Sequence, residues 1–248
     1  MYTIDASAFD YKTLNETIRT HDGDCTVTHC LGQRFIAAGM SGSRIISAYG
    51  TPGNALGAYL NGAEIQVHGN TQDAVGDTMN EGKIIIHGSV GDAVGYAMRG
   101  GCIFVRGNAG YRAGIHMKAY GEKRPTIIIG GKCGSFLGEY QAGGILVVLG
   151  LAQASDAPET ASRPLVGNFP CTGMHGGKLY LRGDTSQMEF PAYVSAHPAT
   201  DEDMREIDPY LTEFCTTFGY EKSDVIGVPF TVVTPDTKNP YKQMYVTN

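Results

Sequence analysis

The chain has no tryptophan and few charged residues: 18% of its 248 residues, where a quarter is usual. Lysine and arginine number 19 and aspartate and glutamate 25, a formal net charge of −6. No basic run, RNP signature or zinc-finger spacing is present, so nucleic acid is not an expected partner. No stretch approaches the ~18 consecutive apolar residues of a membrane span. The opening stretch MYTIDASAFDYKTLNETIRT lacks the basic start and apolar centre of a secretory signal. These absences predict a cytoplasmic chain with no membrane partner. The six cysteines, Cys25, Cys30, Cys102, Cys133, Cys171 and Cys215, form no C-x-x-C pair. Their spacing matches no zinc or iron–sulfur pattern. In a reducing compartment they are expected to be free and mostly buried. The sequence contains no G-x-S-x-G, H-E-x-x-H or P-loop motif.

Glycine is what the chain has in excess, with 34 residues, about twice the usual ~7%. The glycines are periodic. Gly50, Gly69, Gly88 and Gly107 each close a short apolar run at steps of 19. Gly57, Gly76, Gly95 and Gly114 follow at the same step. Gly131 and Gly138 come 24 later, after the insertion KAYGEKRP, and Gly150 restores the step of 19. Gly32 and Gly39 precede the series by 18, and a broken last copy ends at Gly183.

Helical repeats need about 33–47 residues, so this period is too short for them. The apolar runs are brief and rich in β-branched residues, as strands are. At ~3.3 Å per residue a coil traces about 63 Å, enough for a triangle with sides near 20 Å. The fold expected is all-β: a single-stranded, right-handed parallel β-helix whose coils stack at ~4.8 Å. Two inward columns follow, Ile65–Ile84–Ile103–Ile127–Leu146–Leu179 and Val67–Ile86–Val105–Ile129–Val148–Leu181. Leu60, Met79, Met98 and Met117 form a third. The glycines Gly50, Gly57, Gly69, Gly76, Gly88, Gly95, Gly107, Gly114, Gly131 and Gly138 are expected at corners with positive φ. A phosphate loop would occur once, before a helix N-terminus, not in every coil.

Short helices are expected to cap the solenoid. Asp10 would start one over residues 11–20, making residues 1–24 an N-terminal cap ahead of a repeat domain at 25–185. Residues 186–248 would hold a C-terminal cap of two short helices, the first capped by Thr200 and the second starting at Asp208-Pro209, with a docked tail. Outside the core, His68 and His87 stack and are weak candidates for a metal pair, with no third ligand in their column. Asp73 and Asp92 also stack and are expected to accept backbone N–H bonds at corners. The outward column Gln66, Ile85, Phe104, Ile128, Val147, Tyr180 is apolar at five of six positions. Such a surface must be covered, by the C-terminal segment or by a partner protein. It is the expected partner interface.

The repeat GKIIIHGSVGDAVGYAMRGGCIFVRGNAGYRAG, with RPTIIIGGKCGSFLGEYQAGGILVVLG and GNFPCTGMHGGKLYLRGD, resembles the G-x-G-x-G domain. That domain closes the large subunit of glutamate synthase and occurs as the C subunit of formylmethanofuran dehydrogenase. The resemblance covers roughly residues 25–185, and the whole chain looks like a stand-alone, split-subunit form. It implies a brace between other components, with no catalytic residue and no cofactor in this chain. Flavin and an iron–sulfur cluster would sit in a partner. The partners implied are a glutaminase-type amidotransferase subunit and a flavin/iron–sulfur synthase subunit, with a homo-oligomer left open. The function expected is that of a non-catalytic structural or coupling subunit in glutamine-dependent ammonia transfer to a 2-oxo acid. The alternatives are a formylmethanofuran dehydrogenase C-type subunit, or a stand-alone β-helix metal enzyme using His68 and His87.

Overall fold

Each inward isoleucine has its counterpart one coil away as its direct strand partner. Ile46 pairs with Ile65, Ile65 with Ile84, Ile84 with Ile103, Ile103 with Ile127, Ile127 with Leu146, and Leu146 with Leu179. All are fully buried. The protein, seen in a computed structural model that describes residues 2–152 and 162–236, is a parallel β-solenoid. Its strands are β1 (Tyr2–Asp5), β2 (Cys25–Leu31), β3 (Ile45–Thr51), β4 (Asn61–His68), β5 (Glu81–Ile86), β6 (Cys102–Val105), β7 (Thr126–Ile129), β8 (Ala142–Val148) and β9 (Gly176–Arg182). These pair in chain order. The two strands of the C-terminal region, β10 (Val194–Pro198) and β11 (Phe230–Pro235), run antiparallel, with β11 against β9 and β10 outside it.

The third column, Leu60, Met79, Met98 and Met117, is fully buried as expected, and it continues to Gln141. The Gln141 amide nitrogen donates to Gly143 O at 3.2 Å and Gly144 O at 3.3 Å, and its Oε1 is buried without a hydrogen-bond partner among the described residues.

The corner glycines fall into two groups with different physics. Gly57, Gly76, Gly95, Gly114 and Gly138 are left-handed, with φ between +64° and +69°. Gly69, Gly88, Gly107 and Gly131 are not, contrary to the expectation of positive φ, although Gly32, Gly50 and Gly150 of the same column are left-handed. Close approach between coils explains the exceptions. A Cβ on Gly88 would sit 2.3 Å from Asn70 Oδ1 and 2.6 Å from Gly69 O. Positive φ does not by itself explain the second group either. Ala93 and Ala97 flank Gly95 and are also left-handed, at +58° and +51°. Gly95 differs because its Cβ would meet Ile127 Cδ1 at 2.2 Å. The missing side chain makes room for the inward isoleucine column.

Between coils, side chains carry a second ladder. Asn54 accepts from Asp73 N, Asp73 from Asp92 N at 2.9 Å, and Asp92 from Tyr111 N at 2.8 Å. Asp73 and Asp92 thus accept backbone N–H bonds, as their corner positions suggested.

At the N-terminal end, helix α1 (Tyr11–Thr20) starts at Asp10, whose carboxylate accepts from Thr13 N at 2.8 Å. Leu14 and Ile18 enter the main core. Arg44 donates to Ile18 O and His21 O, satisfying carbonyls at the helix end. The first rung, β1, was not foreseen, and its Ile4 shares the core with α1. One core therefore runs across the expected boundary at residue 24.

The C-terminal cap is one long helix rather than two short ones. Helix α2 (Asp201–Phe218) carries Pro209 inside it and ends at left-handed Gly219. It opens with a capping box between Thr200 and Asp203. Proline removes one N–H from the helix, at a cost of about 3 kcal/mol. Burial of Ile207, Leu211, Phe214 and Phe218 against the sheet offsets that cost. A short helix α3 (Lys222–Ile226) leads into β11, whose Phe230, Val232 and Val233 are buried as the tail's anchors. The rest of the expected tail, residues 237–248, and residues 153–161 lie outside the described residues.

Candidate functional site

The expected partner interface is not an exposed surface. Ile85 is 6% exposed, and Phe104, Ile128, Val147 and Tyr180 are fully buried. They form a second core with α2 and β11. Phe214 meets Phe104 edge-on, with ring centres 5.9 Å apart. The chain's own helix covers the column, so of the two covers considered from sequence, the internal one is used.

Charge fastens α2 in place. Lys83 pairs with Glu213, and Arg124 pairs with Glu206. Lys178 bridges Asp203 and Glu206, each at 2.8 Å. The Tyr180 hydroxyl donates to Glu206 at 2.6 Å. Burial alone would raise the Asp203 carboxyl, but bonds from Lys178 and Thr200 hold it down at about 2. Burial, then the Glu206 carboxylate, pushes the Tyr180 hydroxyl far above the usual phenol range. The three cations, Lys83, Arg124 and Lys178, balance the three carboxylates, Glu213, Glu206 and Asp203. This cluster holds a helix to a sheet.

His68 and His87 are neighbours, as the 19-residue step requires, but in a geometry unsuited to one metal. Their rings stack with centres 5.0 Å apart and planes 11° apart. Imidazole lone pairs lie in the ring plane, so stacked rings cannot both aim at a single ion at ~2.1 Å. Tyr49 stacks on His68 at 4.3 Å, and Phe218 of α2 meets His87 edge-on at 5.3 Å. The ladder packs the end of α2. Burial, then His68 and Arg106, lowers the His87 pKa below the ordinary imidazole value. No group of three or more His, Cys, Asp or Glu among the described residues could hold a metal ion.

The glycine loops offer no anion cradle. Ala93 N donates to Tyr111 O, Gly95 N to Val75 O, and Ala97 N to Ile115 O, at 2.7–2.9 Å. Their N–H groups are committed alternately to the coils on either side. The cysteines are free, and all but half-buried Cys102 are buried. Burial pushes the Cys30 and Cys102 thiols up to about 11 and Cys171 to about 12. Thiols so far from ionisation are poor nucleophiles at neutral pH.

What stands exposed is an aromatic strip along the loop side, which the sequence reading missed. Tyr96, His116 and Tyr140 come from successive coils, and the last two rings stack at 5.1 Å. Beside them Arg112 lies over the Phe136 ring and pairs with Glu139, and Phe136 leans on Phe169. Tyr59, Tyr96, Tyr111 and Phe169 are between 40% and 64% exposed. The recurrence of rings one or two residues after the late glycine was the available signal. Next to Phe169 a groove of about 890 Å³ runs between residues 164–172 and 184–191. Its lining includes Asp184 and Glu189 but no His, Cys, Lys or Arg among the described residues.

The fold is a stacked parallel β-solenoid capped by its own helix, with large aromatic side chains exposed along the loop side. The chain belongs to the GXGXG motif family, which matches residues 10–236. It is also 41% identical over 252 residues to the uncharacterized protein MJ1350 of Methanocaldococcus jannaschii, an alignment covering 98% of this chain and 95% of that one. No helix among the described residues is long and apolar enough to cross a membrane.

Proposed function

We propose that the protein is a non-catalytic structural and coupling subunit of a cytoplasmic, glutamate synthase-like complex. Its partners on this reading are a glutaminase-type amidotransferase subunit and a synthase subunit carrying flavin and an iron–sulfur cluster. Together they move ammonia from glutamine to a 2-oxo acid. The observation that carries the reading is membership of the GXGXG motif family over residues 10–236, nearly the whole chain. The buried thiols, the stacked histidines and the committed loop N–H groups agree with a chain that does no chemistry itself.

With the apolar column covered by α2, docking falls to the aromatic strip of Tyr96, Tyr111, His116, Tyr140 and Phe169. Tyrosine is enriched in interface cores because its ring buries area while its hydroxyl still finds a partner. Reconstitution from separate subunits tests the role. A coupling subunit should be needed for glutamine-dependent product formation and dispensable when free ammonia is supplied. Equal dependence of both reactions on this chain would instead place chemistry within it, and dependence of neither would remove it from the complex.

A further inference from the structure

The groove between residues 164–172 and 184–191 has a firm apolar floor. Leu165, Met188 and Phe190 pack against the main core, and Phe169 stands 64% exposed beside them. Pro164, Pro170 and Pro191 sit in its walls. Their rings fix φ, so little chain freedom is lost when the trough is filled.

Its charge is of one sign. Asp184 and Glu189 are exposed on the 184–191 wall, and no Lys, Arg or His among the described residues lines the groove. The nearby cations are spent elsewhere. Arg182 donates to the carbonyls of Leu149, Asp224 and Val225, and Lys178 pairs with Asp203 and Glu206. The Ser186 amide donates to Asp184 at 2.9 Å and holds its carboxyl below the ordinary value. Both carboxylates are therefore ionised at neutral pH without a cation of their own. An apolar floor under two such groups fits a ligand that is both apolar and cationic. Lysine and arginine side chains are of that kind, because the stem lies on apolar surface while the head meets a carboxylate. Asn168 on one wall and Gln187 on the other carry amides that can donate to and accept from a peptide backbone. A volume of about 890 Å³ exceeds that of a single side chain.

We infer that the groove is the docking site of a basic, extended segment of a partner protein, in which lysine or arginine alternates with apolar residues. Alternation places the cations on the rim side and the apolar residues on the floor. The inference deepens the docking role proposed above, since Phe169 belongs to both the groove and the aromatic strip. Its test uses a peptide and no complex, so the inference and that role fail separately.

Methyl NMR of the methionines supplies the test. Met188 lies in the groove, whereas Met79, Met98 and Met117 are fully buried in the solenoid core. Met188→Leu identifies its signal. A short synthetic peptide alternating lysine with valine should shift Met188 and leave the three core signals in place. It should bind at least about tenfold more tightly than the same peptide with glutamate for lysine, and less tightly as salt is raised. Asp184→Lys/Glu189→Lys changes two exposed side chains and should weaken binding at least about fivefold. Asp184→Asn/Glu189→Gln should weaken it less; if the charge reversal disturbs the core signals, this neutral pair decides. Equal affinity of the two peptides, an unshifted Met188, or affinity that neither variant lowers would overturn the inference. So would spermidine shifting Met188 at the peptide's affinity, which would make the groove a site for small organic cations. A Met188 signal that moves with protein concentration alone would overturn it too, and give the groove to a second copy.

Discussion

Replacing Gly88 with alanine probes how closely the coils approach. Gly88 is not left-handed, so the added methyl group brings no backbone strain. It brings a collision. The new Cβ would lie 2.3 Å from Asn70 Oδ1, 2.6 Å from Gly69 O and 2.7 Å from Gly69 C. Real Cβ atoms essentially never approach below 3.0 Å. The Asn70 side chain could swing away, but it would then release Ser89 N, which it accepts at 2.8 Å. The Gly69 backbone cannot move without shifting a coil. Overpacking of this kind costs about 1–3 kcal/mol, and loss of the exposed bond to Ser89 N about 0.5–1.5 more. For a chain of this size each kcal/mol lowers the melting temperature by about 2–4 °C. The expected fall is at least about 3 °C, read by circular dichroism. Adding Asn70→Gly should recover part of the loss, because the clash with Gly69 O remains. A Gly88→Ala protein melting within about 1 °C of wild type would refute the close-approach account of this glycine column.

Three further outcomes are expected. Phe214→Ala removes a fully buried ring that meets Phe104, Phe218 and Tyr220; denaturant titration should show a loss of about 3–5 kcal/mol, with new binding of an apolar dye as α2 loosens. The His87 pKa is lowered in the folded chain, so its contribution is present above the unfolded value near 6.5 and is lost as pH falls below it. The melting temperature should therefore drop between pH 7.5 and 5, and the drop should shrink in His87→Gln; an unchanged drop would argue against the packed ladder. Asp203, held at about 2 against a usual 3.8, should contribute about 2 kcal/mol that is present above pH 3.8 and lost as pH falls through 2. Asp203→Asn should cost about that much at pH 7 and little at pH 2, measured by the same titration.

Much of the solenoid was legible because its period is rigid. A step of 19 sets the register from β3 to β6 and from β7 to β8, and the apolar runs beyond each insertion extend the inward columns. The outward column was legible as apolar, but not who covers it. That depended on α2 surviving Pro209, which is a question of tertiary burial and not of local propensity. The glycines were legible as a pattern, and positive φ holds at Gly50, Gly57, Gly76, Gly95, Gly114 and Gly138 but not at Gly69, Gly88, Gly107 and Gly131. Left-handed Ala93 and Ala97 show that positive φ is common in these loops, so what excludes a side chain is the distance to the next coil. Strand β10 was missed, and β11 was read only as a docked, extended tail, because antiparallel pairing at the solenoid's end has no copy elsewhere in the repeat. The histidine stack was found, but ring orientation, which decides against a shared metal, is not written in spacing. The aromatic strip was overlooked because attention went to the strand columns and not to the loops.

The most direct test of the scaffold account is recovery of the chain from its native source under mild conditions, with identification of whatever co-elutes. The account expects it in a complex far heavier than its own 26.5 kDa, in fixed ratio with a glutaminase-type chain and a flavin- and iron–sulfur-bearing chain. Recovery only as a free 26.5 kDa monomer, at protein levels matching those in the cell, would contradict it.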